Sequence, residues 1–341
     1  MGLTKYNTIR RLSSFPVGLF GSTVAMAGLG SAFKMGQTLY GIPESWDTVI
    51  IITCWIVFIT LIASYALKWF IYPGKVIEEL THPISAHFAG TFFISTVLIS
   101  ALTTPFSMPV ARVVWLAGTI GGFIFLYVMT SRLLKGNLVA ANTAPALLIP
   151  GLTVLNAATA GAAMKLSEFG HLAQISLFSM GIVYTFTFFV LIASRIVHEA
   201  PLNNFLRPSL LLMCAPFEIG FQTYISIAGH VDLFATGIFY FGLFIYAVLF
   251  FHVFTRSLRF ETSWWGACFS TGALTNAALH YAILNPDPLI KVIAAIMIIV
   301  LTGLILLTAY YSLSHLFFPR SIASESAASE IPLAAITKKT T

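Results

Sequence analysis

The stretch VIAAIMIIVLTGLILLTAYY, residues 292–311, carries no charged side chain. A helix of about 20 apolar residues crosses the hydrocarbon core of a bilayer, and in lipid every backbone N–H and C=O must be satisfied within the segment itself. Comparable runs recur along the whole chain, as in FGLFIYAVLFFHVF at 241–254. That recurrence allows a bundle of membrane helices and excludes most other architectures. The composition agrees: 58% of the 341 residues are hydrophobic and 9% are charged, whereas soluble domains carry about 25% charged residues. The fold expected is an all-α polytopic membrane protein.

Apolar runs read against charged or Pro/Gly breaks give ten segments, at 15–36, 48–70, 84–104, 110–132, 142–162, 170–193, 209–229, 233–255, 263–284 and 288–316. Basic residues test this division, because Lys and Arg concentrate in cytoplasmic loops. With the N-terminus inside, the inside connections hold Lys5, Arg10, Arg11, Lys68, Lys75, Arg132, Lys135, Arg195, Arg207, Arg256, Arg259, Arg320, Lys338 and Lys339. The outside connections hold Lys34, Arg112, Lys165 and Lys291. A missed or invented segment would invert the pattern downstream of the error. Ten spans with both termini cytoplasmic are therefore expected, in a bacterial or archaeal cytoplasmic membrane. The domain division is an N-terminus at 1–14, a transmembrane domain at 15–316 and a disordered polar tail at 317–341.

The net charge of +6 is spread through short loops and reads as topology, so no nucleic-acid partner is expected. Positive charges precede the first apolar run as in a signal peptide, but the run outlasts a short h-region and the segment reads as an uncleaved helix. Met1-Gly2 lacks the myristoylation pattern because Tyr6 stands at the Ser/Thr position. Cys54, Cys214 and Cys268 are widely spaced within apolar runs, with neither a metal-site pattern nor a disulfide framework. No metal or other cofactor is expected. Catalytic and nucleotide-binding signatures are missing too, so the chain reads as a channel or a gradient-driven transporter rather than an enzyme.

Pro16, Pro83, Pro145, Pro150 and Pro216 fall in or at the start of odd-numbered segments, while even-numbered segments are dense in Phe, Leu, Ile and Tyr. Proline bends a membrane helix where protein or a water-filled cavity covers the break. Five helical hairpins, with an inner ring of bent odd helices inside an outer ring of even ones, is the simplest arrangement. The alternative is an irregular bundle.

Ionisable groups within spans are costly and mark interior or aqueous faces. Glu218 shares a helix face with Gln222. It either lines a translocation route and carries a proton, or is a protonated carboxyl hydrogen-bonded between helices. His87 is either an interfacial histidine or a pore group; His82 precedes Pro83 at a cap, and Arg112 is an ordinary rim arginine. In the ninth segment Phe269, Gly272, Asn276 and His280 form one stripe at i, i+3, i+7 and i+11. Asn and His do not normally face lipid, so the stripe points inward. Phe269 is then either core packing or a ring in the lumen with room beside Gly272 to swing, since apolar constrictions gate pores by dewetting. Trp264 and Trp265 stand where interface anchors do.

Several segments together resemble the tellurite-resistance/dicarboxylate transporter family, which includes the plant guard-cell slow anion channels. They are ELTHPISAHFAGTFFIS (79–95), NTAPALLIPGLTVLNA (142–157), RPSLLLMCAPFEIGFQTY (207–224) and SWWGACFSTGALTNAALHY (263–281). The resemblance implies a homotrimer with one pore per protomer, five bent inner helices, five outer helices and a plugging phenylalanine in the ninth helix, matched by Phe269. It implies small anions such as chloride and nitrate as cargo, with proton-coupled malate or sulfite transport in other members. The chain departs from the family at Ser270, where relatives have a proline after the phenylalanine, which predicts a smaller or displaced bend. It departs also at Glu218, where relatives have a small or apolar residue, and that makes a proton-coupled oxyanion transporter the alternative to an anion channel.

Overall fold

A computed structural model describes residues 12–136, 139–166, 168–254 and 260–317. Expectations concerning Lys5, Tyr6, Arg10, Arg11, Arg256, Arg259, Arg320, Lys338, Lys339 and the tail beyond 317 lie outside the described residues.

The described chain is helical, with no strand among the described residues. Its α-helices are α1 (Phe20–Tyr40), α2 (Glu44–Ile71), α3 (Pro73–Thr81), α4 (Ser85–Phe88), α5 (Gly90–Thr103), α6 (Met108–Leu134), α7 (Ile149–Ala162), α8 (Glu168–His198), α9 (Ala215–Ala228), α10 (Leu233–Phe254), α11 (Trp264–Leu284) and α12 (Pro288–Phe317). Eight stretches are long and apolar enough to cross a membrane: Glu44–Ile71, Ser85–Thr103, Met108–Leu134, Pro145–Ala162, Gly170–His198, Arg207–Ala228, Leu233–Phe254 and Pro288–Ser314. The other two long helices, α1 and α11, have 21 residues each and are richer in Gly, Ala, Ser and Thr. Helix α3 was not expected; Tyr72 leaves the helical region at φ −130° and Pro73 restarts the helix.

Local chemistry sets the boundaries. Gly41 takes the left-handed conformation at φ 67° and donates to the Gln37 carbonyl, which ends α1 just before Pro43 opens α2. Gly229, at φ 76°, ends α9 in the same way. Asp232 then caps α10, accepting the Ala235 N–H on Oδ1 and the Tyr224 hydroxyl on Oδ2. Those two donors hold the Asp232 carboxyl below the usual carboxylate range.

Burial separates two sets of helices. Among the apolar stretches, Ser85–Thr103, Pro145–Ala162 and Arg207–Ala228 are 61% to 89% buried, whereas the other five are 22% to 39% buried. On the exposed α2, Thr53, Thr60 and Ser64 donate their hydroxyls to carbonyls four residues back, leaving no orphan donor on an apolar face. Helix α1 packs against α2, α5 and α11; α7 packs against α5, α8 and α9; α9 packs against α10 and α11; α11 packs against α12.

Glycine permits two of these approaches. A Cβ on Gly90 would lie 2.6 Å from both Ile149 Cγ2 and Phe125 Cε1, so α5 meets α6 and α7 only without a side chain there. Gly28 of α1 and Gly272 of α11 meet almost backbone to backbone, with a Cβ on Gly28 only 3.7 Å from Gly272 Cα. Polar stitches accompany them: Ser95 donates to Phe20 O at 3.0 Å, Asn276 Nδ2 to Gly28 O at 2.9 Å, Gln222 Nε2 to Ala273 O at 3.0 Å, and Thr159 pairs with Thr223 at 2.6 Å. Such bonds average about 0.6 kcal/mol each within a membrane bundle, so close packing carries most of the association.

The prolines stand at or beside changes of helix type. Pro16 precedes the 3-10 turn Val17–Leu19, Pro145 opens the 3-10 turn Pro145–Leu148, and Pro208 lies at the start of the 3-10 run Arg207–Cys214. Pro150 and Pro216 occupy the first turns of α7 and α9. Pro150 and Pro216 thus fall where a 3-10 start passes into an α-helix, whereas Pro83 lies in the turn between α3 and α4. Helix α11 has no proline and runs unbroken through Ser270.

Candidate functional site

A cavity of about 100 Å³ lies where the buried segments begin. Its wall takes Pro16, Val17, Gly21 and Val24 from the first segment, Ser85, Phe88, Thr91 and Ile94 from the second, and Ile149 from the start of α7. Phe205 and Leu212 come from the segment leading into α9, and Thr262, Ser263, Trp265, Gly266 and Phe269 from α11 and its approach. The long exposed helices contribute none of the lining residues; Glu79 of α3 is the charged one.

Val24, Ile94, Ile149, Leu212 and Phe269 are each the lining residue farthest along its own segment. All five are apolar, and Phe269 is only 8% exposed. Hydroxyls nearer the mouth are turned to backbone: Thr91 donates to Phe88 O and Ser263 to Phe205 O. Apolar side chains of this kind offer a hydrated ion no polar partner.

The rest of the α11 stripe meets protein. Gly272 and Asn276 face α1, with the Asn276 amide donating to Gly28 O and Gly272 O. Beside Gly272 stand Leu301 of α12 and Gly28 of α1, 3.7 and 3.8 Å from where a Cβ would lie. Asn276 Oδ1 and His280 Nδ1 are buried without a partner among the described residues. Trp265, expected at the interface, is buried instead, and its indole N–H donates to Ser312 Oγ at 3.1 Å; it ties α11 to α12 because the helix turns that face inward. Trp264 packs edge-on against Phe254.

Glu218 does not line the cavity. It is 1% exposed, both carboxylate oxygens lack a partner among the described residues, and its Cγ lies 3.6 Å from the position a Cβ on Gly242 of α10 would take. Gln222, on the same helix, instead reaches Ala273 O of α11. His87 is buried and likewise absent from the lining. His82 caps the turn that follows it, accepting the Ile84 and Ser85 amides on Nδ1. Arg112 donates to Met164 O and Lys165 O, holding the loop between α7 and α8. Cys54, Cys214 and Cys268 are buried free thiols.

Sequence reasoning missed the cavity mouth. Lys68, counted only as a loop charge, is 3% exposed and donates to Glu79 Oε2 at 2.7 Å and to Phe15 O at 2.6 Å. Tyr65 donates to the same carboxylate oxygen at 3.2 Å, and the Val17 N–H reaches Oε1 at 2.7 Å. Arg207, also taken for a loop residue, is buried with its guanidinium 3.4 Å from Asn204 Oδ1. The available signal was a Lys and a Glu flanking Pro73, a break that lets the chain fold back on itself.

The family model for voltage-dependent anion channels matches residues 14–313. The chain is similar to a tellurite resistance protein TehA homolog of Haemophilus influenzae, 24% identical over 318 residues, covering 91% of this chain and 95% of that protein. It is similar also to the S-type anion channel SLAH1 of Arabidopsis thaliana, 28% identical over 270 residues, covering 74% and 67% respectively.

Proposed function

We propose that this chain, which belongs to the voltage-dependent anion channel family, passes its anions along the axis of the buried segments, through a constriction closed by Phe269. It is an integral membrane protein of a family whose members are channels and transporters of small anions, not enzymes. One observation supports the route: all five inner segments contribute to the cavity wall, and the lining residue farthest along each of them, Phe269 among them, is apolar.

In this reading the contacts of α1, α5, α7, α9 and α11 form an inner ring, and each inner helix pairs with the exposed helix after it as one of five hairpins. The ten segments then span the cytoplasmic membrane of a bacterial or archaeal cell, with residues 15–316 as the transport domain, 1–14 and 317–341 on the cytoplasmic side, and the cavity as a cytoplasmic vestibule. The loop-by-loop excess of Lys and Arg supports that orientation. The exposed apolar faces of the outer helices suit lipid and a homotrimer. Small anions and oxyanions are the cargo; chloride, nitrate, sulfite, malate and tellurite are the ones to try.

The second reading, proton-coupled transport of oxyanions, rests on Glu218. A carboxyl with two unpartnered oxygens between α9 and α10 must disturb the packing of both helices whenever it ionises. Gln222, His87, Asn276 and His280 would support coupling in that reading.

Flux of these five anions into liposomes holding the purified protein separates the two readings. The conduit predicts flux that follows the anion gradient and is indifferent to a superimposed pH gradient. Uptake that appears only with a pH gradient, and is abolished by Glu218→Gln, rejects the conduit in favour of coupling.

A further inference from the structure

At the vestibule mouth three donors from two elements converge on one carboxylate. Lys68 Nζ and Tyr65 Oη of α2 bind Glu79 Oε2, and the Val17 amide binds Oε1. The ammonium sits over the Tyr65 ring at 5.3 Å and is 3% exposed, so without the carboxylate it would be a buried, uncompensated cation. Glu79 is its acid partner among the described residues, and Glu79 also lines the cavity together with Phe269. The helix that carries Glu79 is nine residues long and buries one side chain, Val76, so the carboxylate can withdraw with little loss of packing.

We propose that Lys68, Tyr65 and the Val17 amide form an anion-binding cradle, the first station of the anion path, and that Glu79 fills it as a tethered stand-in for the incoming ion. Two donors on one oxygen and a third on the other select a planar group with two oxygens on one centre. The ligand class is therefore small carboxylates and planar oxyanions such as formate, acetate and nitrate; a halide offers the three donors one acceptor atom where the carboxylate offers two. An arriving anion exchanges with Glu79 for the ammonium, which keeps one negative partner throughout, while the displaced carboxylate turns out to solvent and adds one negative charge to the mouth. The role as a first station rests on the conduit reading above, whereas anion binding by the cradle does not.

The test uses the full chain in detergent, with Glu79→Ala to empty the cradle. Its melting temperature should fall below that of the parent protein and recover saturably with sodium formate, acetate or nitrate, more weakly with chloride. The parent protein and the Glu79→Ala/Lys68→Met double variant should show no such recovery. Absence of anion-specific recovery, or equal recovery in the double variant, overturns the cradle. If Glu79→Ala does not fold, Glu79→Gln in a Phe269→Ala background gives a second measurement. There the half-saturating nitrate concentration should drop severalfold, and Lys68→Met should raise it; unchanged values overturn the proposal. Recovery of stability without flux in any variant rejects the conduit and leaves the cradle, whereas flux indifferent to Glu79 and Lys68 overturns the cradle's role as a station on the path and leaves the conduit.

Discussion

The segments Arg207–Ala228 and Trp264–Leu284 are both buried and pack against each other, yet they are built differently. The first begins as eight residues of 3-10 helix and becomes α-helical only at Ala215, with Pro216 in the new first turn. The second is α-helical throughout, with Ser270 inside it. Their notable side chains are also reversed in role. Glu218, the costliest residue to bury, is sealed against α10, whereas the chemically ordinary Phe269 lines the cavity. In such a bundle, the neighbour that a helix face meets decides what a residue does, more than its polarity does.

That contrast can be broken at Ser270. Proline there removes a backbone hydrogen bond in mid-helix and clashes with the preceding turn, at a cost of about 3 kcal/mol. Ser270→Pro should therefore lower the thermal stability of the purified protein markedly. An unchanged melting temperature would show that α11 already tolerates the bend that its partner segment makes at a 3-10 join.

A smaller effect sharpens the contrast at Glu218. An unpartnered buried carboxyl costs about 1–3 kcal/mol of desolvation, so Glu218→Leu should leave thermal stability unchanged or raise it by about 1 kcal/mol. Anion flux should persist in this variant, because Glu218 lies outside the cavity wall. Loss of flux in a folded Glu218→Leu protein would place the residue on the transport route after all.

The membrane helices were legible because each apolar run must satisfy its own backbone, and the eight most apolar stretches follow from hydropathy alone. Helices α1 and α11 were read from apolar runs bounded by charged or Pro/Gly breaks, with the distribution of Lys and Arg as a test, and burial lets them carry small and polar residues. Periodicity correctly grouped Gly272 with Asn276, but it could not say that this face meets Gly28 of α1. It grouped Glu218 with Gln222 as well, yet their side chains reach different neighbours, α10 and α11. The Lys68–Glu79 pair was invisible for a related reason: the Tyr72–Pro73 break lies between its members, so helical periodicity does not carry from one to the other.

The central claim is that the Phe269 ring closes a path through the buried segments, and anion current across a planar bilayer tests it most directly. Removing a local barrier of about 1.4 kcal/mol or more raises a rate roughly tenfold or more, so Phe269→Ala should raise the anion current at least to that extent, with Phe269→Leu in between. A folded Phe269→Ala protein carrying the same current as the parent would contradict the account.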